Sequence, residues 1–397
     1  MMKKIELIFV SVSAIGHIVS TVEFAKLLVG RDDRFSVTLL IMKLPLEDSA
    51  AEASVRDAIH QLTRSKSGRL AGIVVDLLCT SMIDVANELG VPSYVYFASS
   101  AACLALMFHL QTLKDHQGVD VTEFANSDAE LVVPGFVNPV PARVLPAVAV
   151  DKEGGGSMDF LDLARGFREA KGILVNTFVE LESHVINSFV DAHIICGVLC
   201  FGSAGAFHMD QINEIAIGLE NSGHRFLWTV RRPPPKDKMA ISSDYVNFEE
   251  VLPEGFLDRT SKIGKIIGWA PQTAILAHSA VGGFISHCGW NSTLESIWYG
   301  VPVATWPMYA EQQLNAFQIV RELEMGVEIR FDYNMDTSNL VSAQEIESRI
   351  RSLMDDSSNI RMKRTKMKEK CMKALTEGGS SDCSIQRLIG DIITNIS

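Results

Sequence analysis

The sequence is short of the signatures that identify several common chemistries. No G-x-G-x-x-G follows an apolar run, which argues against a dinucleotide cofactor, and no G-x-x-x-x-G-K-[ST] is present to wrap a nucleoside triphosphate. A G-x-S-x-G nucleophile elbow is missing, as are D-x-D and H-E-x-x-H, so nothing recommends a metal-centred mechanism. Apolar runs stay below the ~18 residues that a membrane-spanning helix needs. Positive charge is in deficit: 36 Lys and Arg face 48 Asp and Glu, a net charge of −12 that suits a phosphate backbone poorly and makes nucleic acid an unexpected partner. Cysteine is sparse as well. Cys79, Cys103, Cys196, Cys200, Cys288, Cys371 and Cys383 are odd in number and widely spaced, which suits reduced thiols in the cytosol better than a disulfide framework. Cys196 and Cys200 lack a Cys/His pair at zinc spacing and read as strand residues.

What the chain does contain is core. Hydrophobic residues make up 47% and charged residues 21% of 397, so disorder is excluded as a general state. The length is two to three times that of a typical ~150-residue domain. Lys3 and Lys4 before an apolar stretch mimic a signal peptide, but Glu6 interrupts the stretch and it leads straight into Gly16-His17; a buried first strand over 6–11 accounts for it better. Strand patterns over 35–42, 70–75 and 91–97 alternate with helical patterns over 54–62, 82–89 and 101–113, the rhythm of βαβ units and a parallel sheet. Residues 123–153 are irregular, then 159–170 and 181–190 read as helix around a strand at 172–176. A second series has strands over 198–202, 225–231, 264–269, 283–287 and 301–305 and helices over 210–221, 271–277, 292–299 and 311–322. Two doubly wound α/β domains facing each other are expected, with ligand at the carboxyl ends of the strands. The basic run over 361–370 reads as the solvated face of a late helix.

Two constellations carry chemistry. In Ser286-His-Cys-Gly-Trp-Asn-Ser-Thr-Leu-Glu295 a strand ends at His287, a glycine turn follows and a helix starts near Ser292. Ser292 and Glu295 have the S-x-x-E spacing of a capping box, yet a helix start at a sheet's carboxyl edge is also a place for a phosphate, with His287 and Ser292 beside it. The second constellation is His17, at a glycine turn after the first strand, with Asp76 ending another apolar strand at the same edge. Paired, they would form a general base, the carboxylate fixing the tautomer and stabilising the imidazolium. Asp84, within a helix, is the decoy.

Trp269-Ala-Pro-Gln272, His287-Cys-Gly-Trp-Asn-Ser-Thr-Leu-Glu295 and Tyr309-Ala-Glu-Gln312, at intact spacing, resemble the signature box of plant UDP-glycosyltransferases. Gly16-His17 and Glu377-Gly-Gly-Ser-Ser381 resemble the same family. The resemblance implies a GT-B fold, two Rossmann-like domains about a central cleft: residues 1–193 for the acceptor, 194–383 for the UDP-sugar, and a last helix over 384–397 packing back on the first. It implies inverting transfer of glucose from UDP-glucose to a hydroxyl of a small lipophilic plant metabolite, such as a phenolic, flavonoid or terpenoid. No metal or other cofactor is needed, and a cytoplasmic monomer is expected. By the same resemblance Trp269 stacks on uracil, Ala270 holds the base through its main chain, and Gln272 and Glu295 bind the ribose. His287, Ser292 and Ser203 meet the diphosphate, while Trp290, Asn291, Glu311 and Gln312 line the sugar. Gln312 stands where similar galactose-using enzymes often have His, which points to glucose. His17 takes the acceptor's proton with Asp76 behind it. Trp306 reads as core.

The chain departs from the family in three places. Ala98 stands where members often carry a Thr that touches the sugar, with Ser99 beside it. It looks shortened near 48–51, where a strand and loop are expected, and near 193–194, where an interdomain linker is expected. An alternative is therefore a degenerate relative that binds donor but has impaired acceptor chemistry. A Rossmann oxidoreductase rests on fold analogy alone, against the missing glycine fingerprint.

Overall fold

Eight consecutive buried positions form the first strand, β1 (Ile5–Val12), covered on both faces as parallel strands are. Even Glu6 lies inside, its Oε1 accepting from Thr38 Oγ1 at 2.7 Å. The computed structural model describes residues 4–42, 49–65, 69–189, 194–196, 207–233, 243–332, 340–355 and 357–396. The chain divides into two compact units, Met1–Gly202 with Glu369–Ser397, and Ser203–Lys368.

In the first unit β1 is followed by α1 (Ile15–Arg31), β2 (Phe35–Met42), α2 (Ser49–Ser65), β3 (Arg69–Asp76), α3 (Met82–Glu88), β4 (Ser93–Phe97) and α4 (Ala101–Gln117). The segment expected to be irregular carries a small antiparallel pair, β5 (Glu130–Leu131) and β6 (Val140–Pro141), and one turn of helix, α5 (Ala147–Val150). Then come α6 (Gly156–Phe167), β7 (Gly172–Val175), α7 (Ser183–Ser188) and β8 (Ile194–Cys196). The sheet order is β2-β1-β3-β4-β7-β8, parallel throughout. Because β8 pairs with β7, the division between units falls after Gly202 and not at the expected 193/194. The expected strand over 198–202 lies outside the described residues; of the junctions near 48–51 and 193–194, residues 48 and 193 lie outside them too, while 49–51 open α2 and Ile194 opens β8.

The second unit holds α8 (Met209–Ser222), β9 (Phe226–Thr229), β10 (Arg231–Arg232), β11 (Ser243–Asp244), α9 (Phe256–Thr260), β12 (Gly264–Ile267), α10 (Gln272–Leu276), β13 (Phe284–Ser286), α11 (Trp290–Tyr299), β14 (Val303–Thr305), α12 (Gln312–Phe317), β15 (Gly326–Glu328) and α13 (Ala343–Met354). β9 and β12 pair in parallel, as do β13, β14 and β15. The helix expected over 311–322 is α12 followed by a π-helical turn, Gln318–Glu322. Trp306 is core, as its sequence context suggested, packed 5.0 Å from the ring of Phe207. The basic run forms α14 (Asn359–Ala374), but not as a wholly solvated face: Arg364 is fully buried and its Nε donates to the Met325 carbonyl at 3.1 Å.

The last helix, α15 (Ser380–Ile396), belongs to the first unit. Ile385, Leu388 and Ile392 are buried in one cluster with Leu7, Phe9, Phe24 and Tyr96. Three such side chains contribute about 1.5–3 kcal/mol each, so apolar burial drives the docking. Polar contacts set its register. Asp391 accepts from the buried Tyr94 hydroxyl at 2.7 Å and pairs with Lys171 at 3.1 Å. At the start of the helix the buried Asp382 pairs with Arg31 at 2.6 Å and accepts from Gly378 N and Gln386 Nε2. The N-terminus of α4 is closed from within: the buried Glu182 carboxylate accepts from the N–H groups of Ala101 and Ala102, at 3.0 and 2.9 Å, while Ser100 Oγ caps Cys103 N. Removing Arg31 would strand a carboxylate in the interior. Arg31→Ala is expected to lower unfolding stability by about 3 kcal/mol in urea titration; a loss below about 0.5 kcal/mol would show that the backbone and Gln386 satisfy Asp382 alone.

Candidate active site

In the first unit the candidate catalytic residues sit where β1 and β3 end. Parallel pairing sets Val10 against Val75, so the residues beyond the two strands emerge on one edge. Asp76 closes β3 and His17 lies in the first turn of α1. The His17 Nδ1 to Asp76 Oδ2 distance is 2.8 Å, with the His side chain 25% exposed and the carboxylate wholly covered. Asp76 Oδ1 accepts from Leu78 N at 3.0 Å, so both carboxylate oxygens are used. With Asp76 ionised, Nδ1 carries the proton and Nε2 the lone pair, which is the tautomer a general base needs. Asp84 is exposed on α3. Ala98 is half-buried and Ser99 buried at the end of β4.

In the second unit the candidates follow the ends of β12, β13 and β14. Trp269 is 60% exposed, an indole face presented to solvent, with Ala270 half-buried next to it. Gln272 opens α10 and donates through Nε2 to Ser292 Oγ at 2.9 Å and Glu295 Oε2 at 2.8 Å. Gln272, Ser292 and Glu295 are thus one bonded cluster. The capping-box reading of Ser292 and Glu295 is not met: α11 begins at Trp290 and Gly289 occupies the N-cap with no side-chain cap. Two residues earlier than expected, the helix places Ser292 inside its first turn. Trp290 is buried and Asn291 half-buried there. His287 is half-buried, and desolvation pushes its pKa down to about 4, so it is neutral at pH 7 and acts as a hydrogen-bonding group, not as a charge. Its ring needs the glycine that follows: a Cβ on Gly289 would lie 2.6 Å from Nε2. Gln312 Oε1 accepts from Met308 N at 2.9 Å and Tyr309 N at 3.1 Å, which fills both lone pairs and fixes the buried amide against the turn before α12. Glu311, just before it, is half-buried. Ser203 lies outside the described residues. Among the described residues no group of three His, Cys, Asp or Glu side chains could hold a metal ion, and no helix is long and apolar enough to cross a membrane.

Some contributors have no signal in the sequence. Asp244 Oδ1 accepts from Trp269 N at 3.1 Å and pairs with Arg231 at 2.9 Å, pinning the backbone under the exposed indole. Gly268 leaves room for this contact, since a Cβ there would lie 2.5 Å from the Asp244 carboxyl carbon and displace the carboxylate. No spacing rule links 244 to 269.

The His287 shift has a pH consequence. Its pKa is lowered by folding, so between about 6.5 and about 4 the unfolded chain binds a proton that the folded chain refuses. Stability is therefore lost as pH falls through that window. Urea unfolding at pH 7 and pH 5 should show a smaller acid loss in His287→Asn than in the wild type; equal losses would contradict a desolvated imidazole held neutral.

Comparison with known proteins follows the same lines. The UDP-glucoronosyl and UDP-glucosyl transferase family matches residues 180–375. UDP-glucose flavonoid 3-O-glucosyltransferase 6 of Fragaria ananassa is 46% identical over 482 aligned positions, covering 100% of each chain. UDP-glycosyltransferase 71E1 of Stevia rebaudiana is 46% identical, covering 99% of each. Against the strawberry protein 482 − 397 = 85 aligned positions have no counterpart here, so this chain is the shorter of the two. A Siraitia grosvenorii transferase solved with UDP superposes with a TM-score of 0.91 at 43% identity, covering 98% of this chain and 100% of that one. Medicago truncatula UGT71G1, solved with UDP-glucose, gives 0.84 at 36% identity and 98% of each chain. The exposed indole, the uncapped helix turn and the Gln272 cluster thus lie in a chain of GT-B fold that belongs to the plant UDP-glycosyltransferase family.

Proposed function

We propose that the protein transfers glucose from UDP-glucose to a hydroxyl of a small lipophilic acceptor, a phenol or flavonoid first among them, with inversion to a β-glucoside. The observation that carries this reading is the 2.8 Å His17–Asp76 contact in one unit of a chain whose other unit holds the whole signature box. The first unit takes the acceptor and the second the donor. Trp269 stacks on uracil and Ala270 meets the base edge through its main chain. Gln272 and Glu295 turn from each other to the ribose hydroxyls, while Ser203, Ser292 and His287 meet the diphosphate. Trp290, Asn291, Glu311 and Gln312 surround the sugar.

The step is a single displacement. His17 Nε2 removes the acceptor's hydroxyl proton, and Asp76 stabilises the imidazolium that results. The oxygen bonds to the anomeric carbon as the bond to UDP breaks. The leaving diphosphate gains charge opposite the positive end of α11 and the hydrogen bonds of Ser292 and His287. The proton ends on His17 and passes to solvent or product. The described residues give no reason to prefer a chain that binds donor without acceptor chemistry.

His17→Ala is expected to cut turnover by about a thousandfold or more while UDP affinity by calorimetry stays within about threefold. Unchanged turnover would sink the base assignment. Asp76→Asn should also slow the reaction strongly. UDP-glucose should exceed UDP-galactose in kcat/KM, and activity should persist in EDTA; parity of the donors or loss on chelation would each contradict the part of the reading it addresses.

A further inference from the structure

Non-glycine residues seldom adopt positive φ, at a cost of roughly 1–3 kcal/mol each, and do so only where their surroundings impose it. In the second unit Cys288 has φ of 64° and Ala310 has φ of 55°. Cys288 follows His287, and Ala310 precedes Glu311 and Gln312. One side chain reaches both turns. Asn315, fully buried on α12, donates through Nδ2 to the Cys288 carbonyl at 3.0 Å, and the same nitrogen lies 3.5 Å from Glu311 Oε1, at the outer limit of a hydrogen bond. Its backbone N–H donates to the Glu311 carbonyl at 3.0 Å. On the other side of Cys288, the N–H is fixed by Ser286 Oγ at 3.1 Å.

We propose that Asn315 is a positioning residue that ties the turn aiming His287 to the turn aiming Glu311, so that the diphosphate end and the sugar end of the donor site are set as one unit. The proposal rests on the donor-site reading above. An amide is suited to the task because its NH2 carries two hydrogens, one for a carbonyl and one for a carboxylate, while a hydroxyl on a shorter stem reaches neither. Asn315 touches no substrate; it acts through Glu311 and the Cys288 peptide. Cutting the tie leaves UDP anchored by Trp269, Gln272 and Glu295 but lets the sugar-facing carboxylate drift from the leaving group. A loss in transfer without a matching loss in UDP binding follows.

The test is a double-mutant cycle with Asn315→Ser and Glu311→Ala, read in kcat/KM for UDP-glucose and, separately, in UDP affinity by calorimetry. Asn315→Ser is expected to cost about tenfold in kcat/KM in the wild-type background and less than about threefold in the Glu311→Ala background, with UDP affinity within about threefold throughout. A residue that only stabilises the fold would cost the same in both backgrounds, and that result overturns the proposal. Should Asn315→Ser not fold, the uncharged Asn315→Ala takes its place in the cycle and the same comparison decides. Failure of the donor-site reading itself is distinct: wild-type protein would then show no UDP binding.

Discussion

The buried carboxylate of Asp76 depends on parallel pairing between β1 and β3, and the setting of the His17 ring depends on that carboxylate. Val10 opposite Val75 brings the ends of both strands to one edge, so a residue one position past the pairing and a residue in the first turn of α1 come within 2.8 Å. Asp76 is tolerable there because every oxygen is used, one by Leu78 N and one by His17. The same sheet is covered by α15, whose apolar side chains join α1's Phe24 and Leu28 in one cluster around Phe9. The helix that carries His17 is thus packed together with a helix contributed from the far end of the chain, Ser380–Ile396.

The second unit solves a different problem, that of holding polar turns open toward a ligand without letting them collapse. Strain is placed at Cys288 and Ala310, and buried side chains hold it there. Asp244 does for the Trp269 backbone what Asn315 does for Cys288. Glycines at 268 and 289 keep the space that those carboxylate and imidazole groups require. In each case a supporting residue remote in sequence, or a missing Cβ, fixes a group that faces outward.

The alternation of strands and helices was readable because each βαβ unit repeats a short apolar run and a 3.6-residue pattern, and the signature box was readable because its turns are contiguous in sequence. The His17–Asp76 pair could be anticipated from strand ends alone. Helix starts were less legible: Ser292 and Glu295 have capping-box spacing, yet the glycine turn carries the helix back to Trp290. The placement of β8 beside β7 was hidden for a related reason, since Ile194–Cys196 has the composition of any buried strand and nothing local says which sheet takes it. Asp244, Glu182, Asn315 and the buried Arg364 were illegible because their roles exist only through partners far along the chain.

Glu182 makes the two halves unequal in a way their shared architecture conceals. A helix that starts at the carboxyl edge of a parallel sheet draws anions, and both units contain one. In the first unit the chain supplies the anion itself, with two backbone N–H groups bonded to a carboxylate that solvent does not reach. In the second, the N-cap of α11 is Gly289, which has no side chain to cap with. An internal counter-ion at α4 therefore separates two units built on the same βαβ plan: the two leading N–H groups of that helix are satisfied from within and are not open to an outside anion.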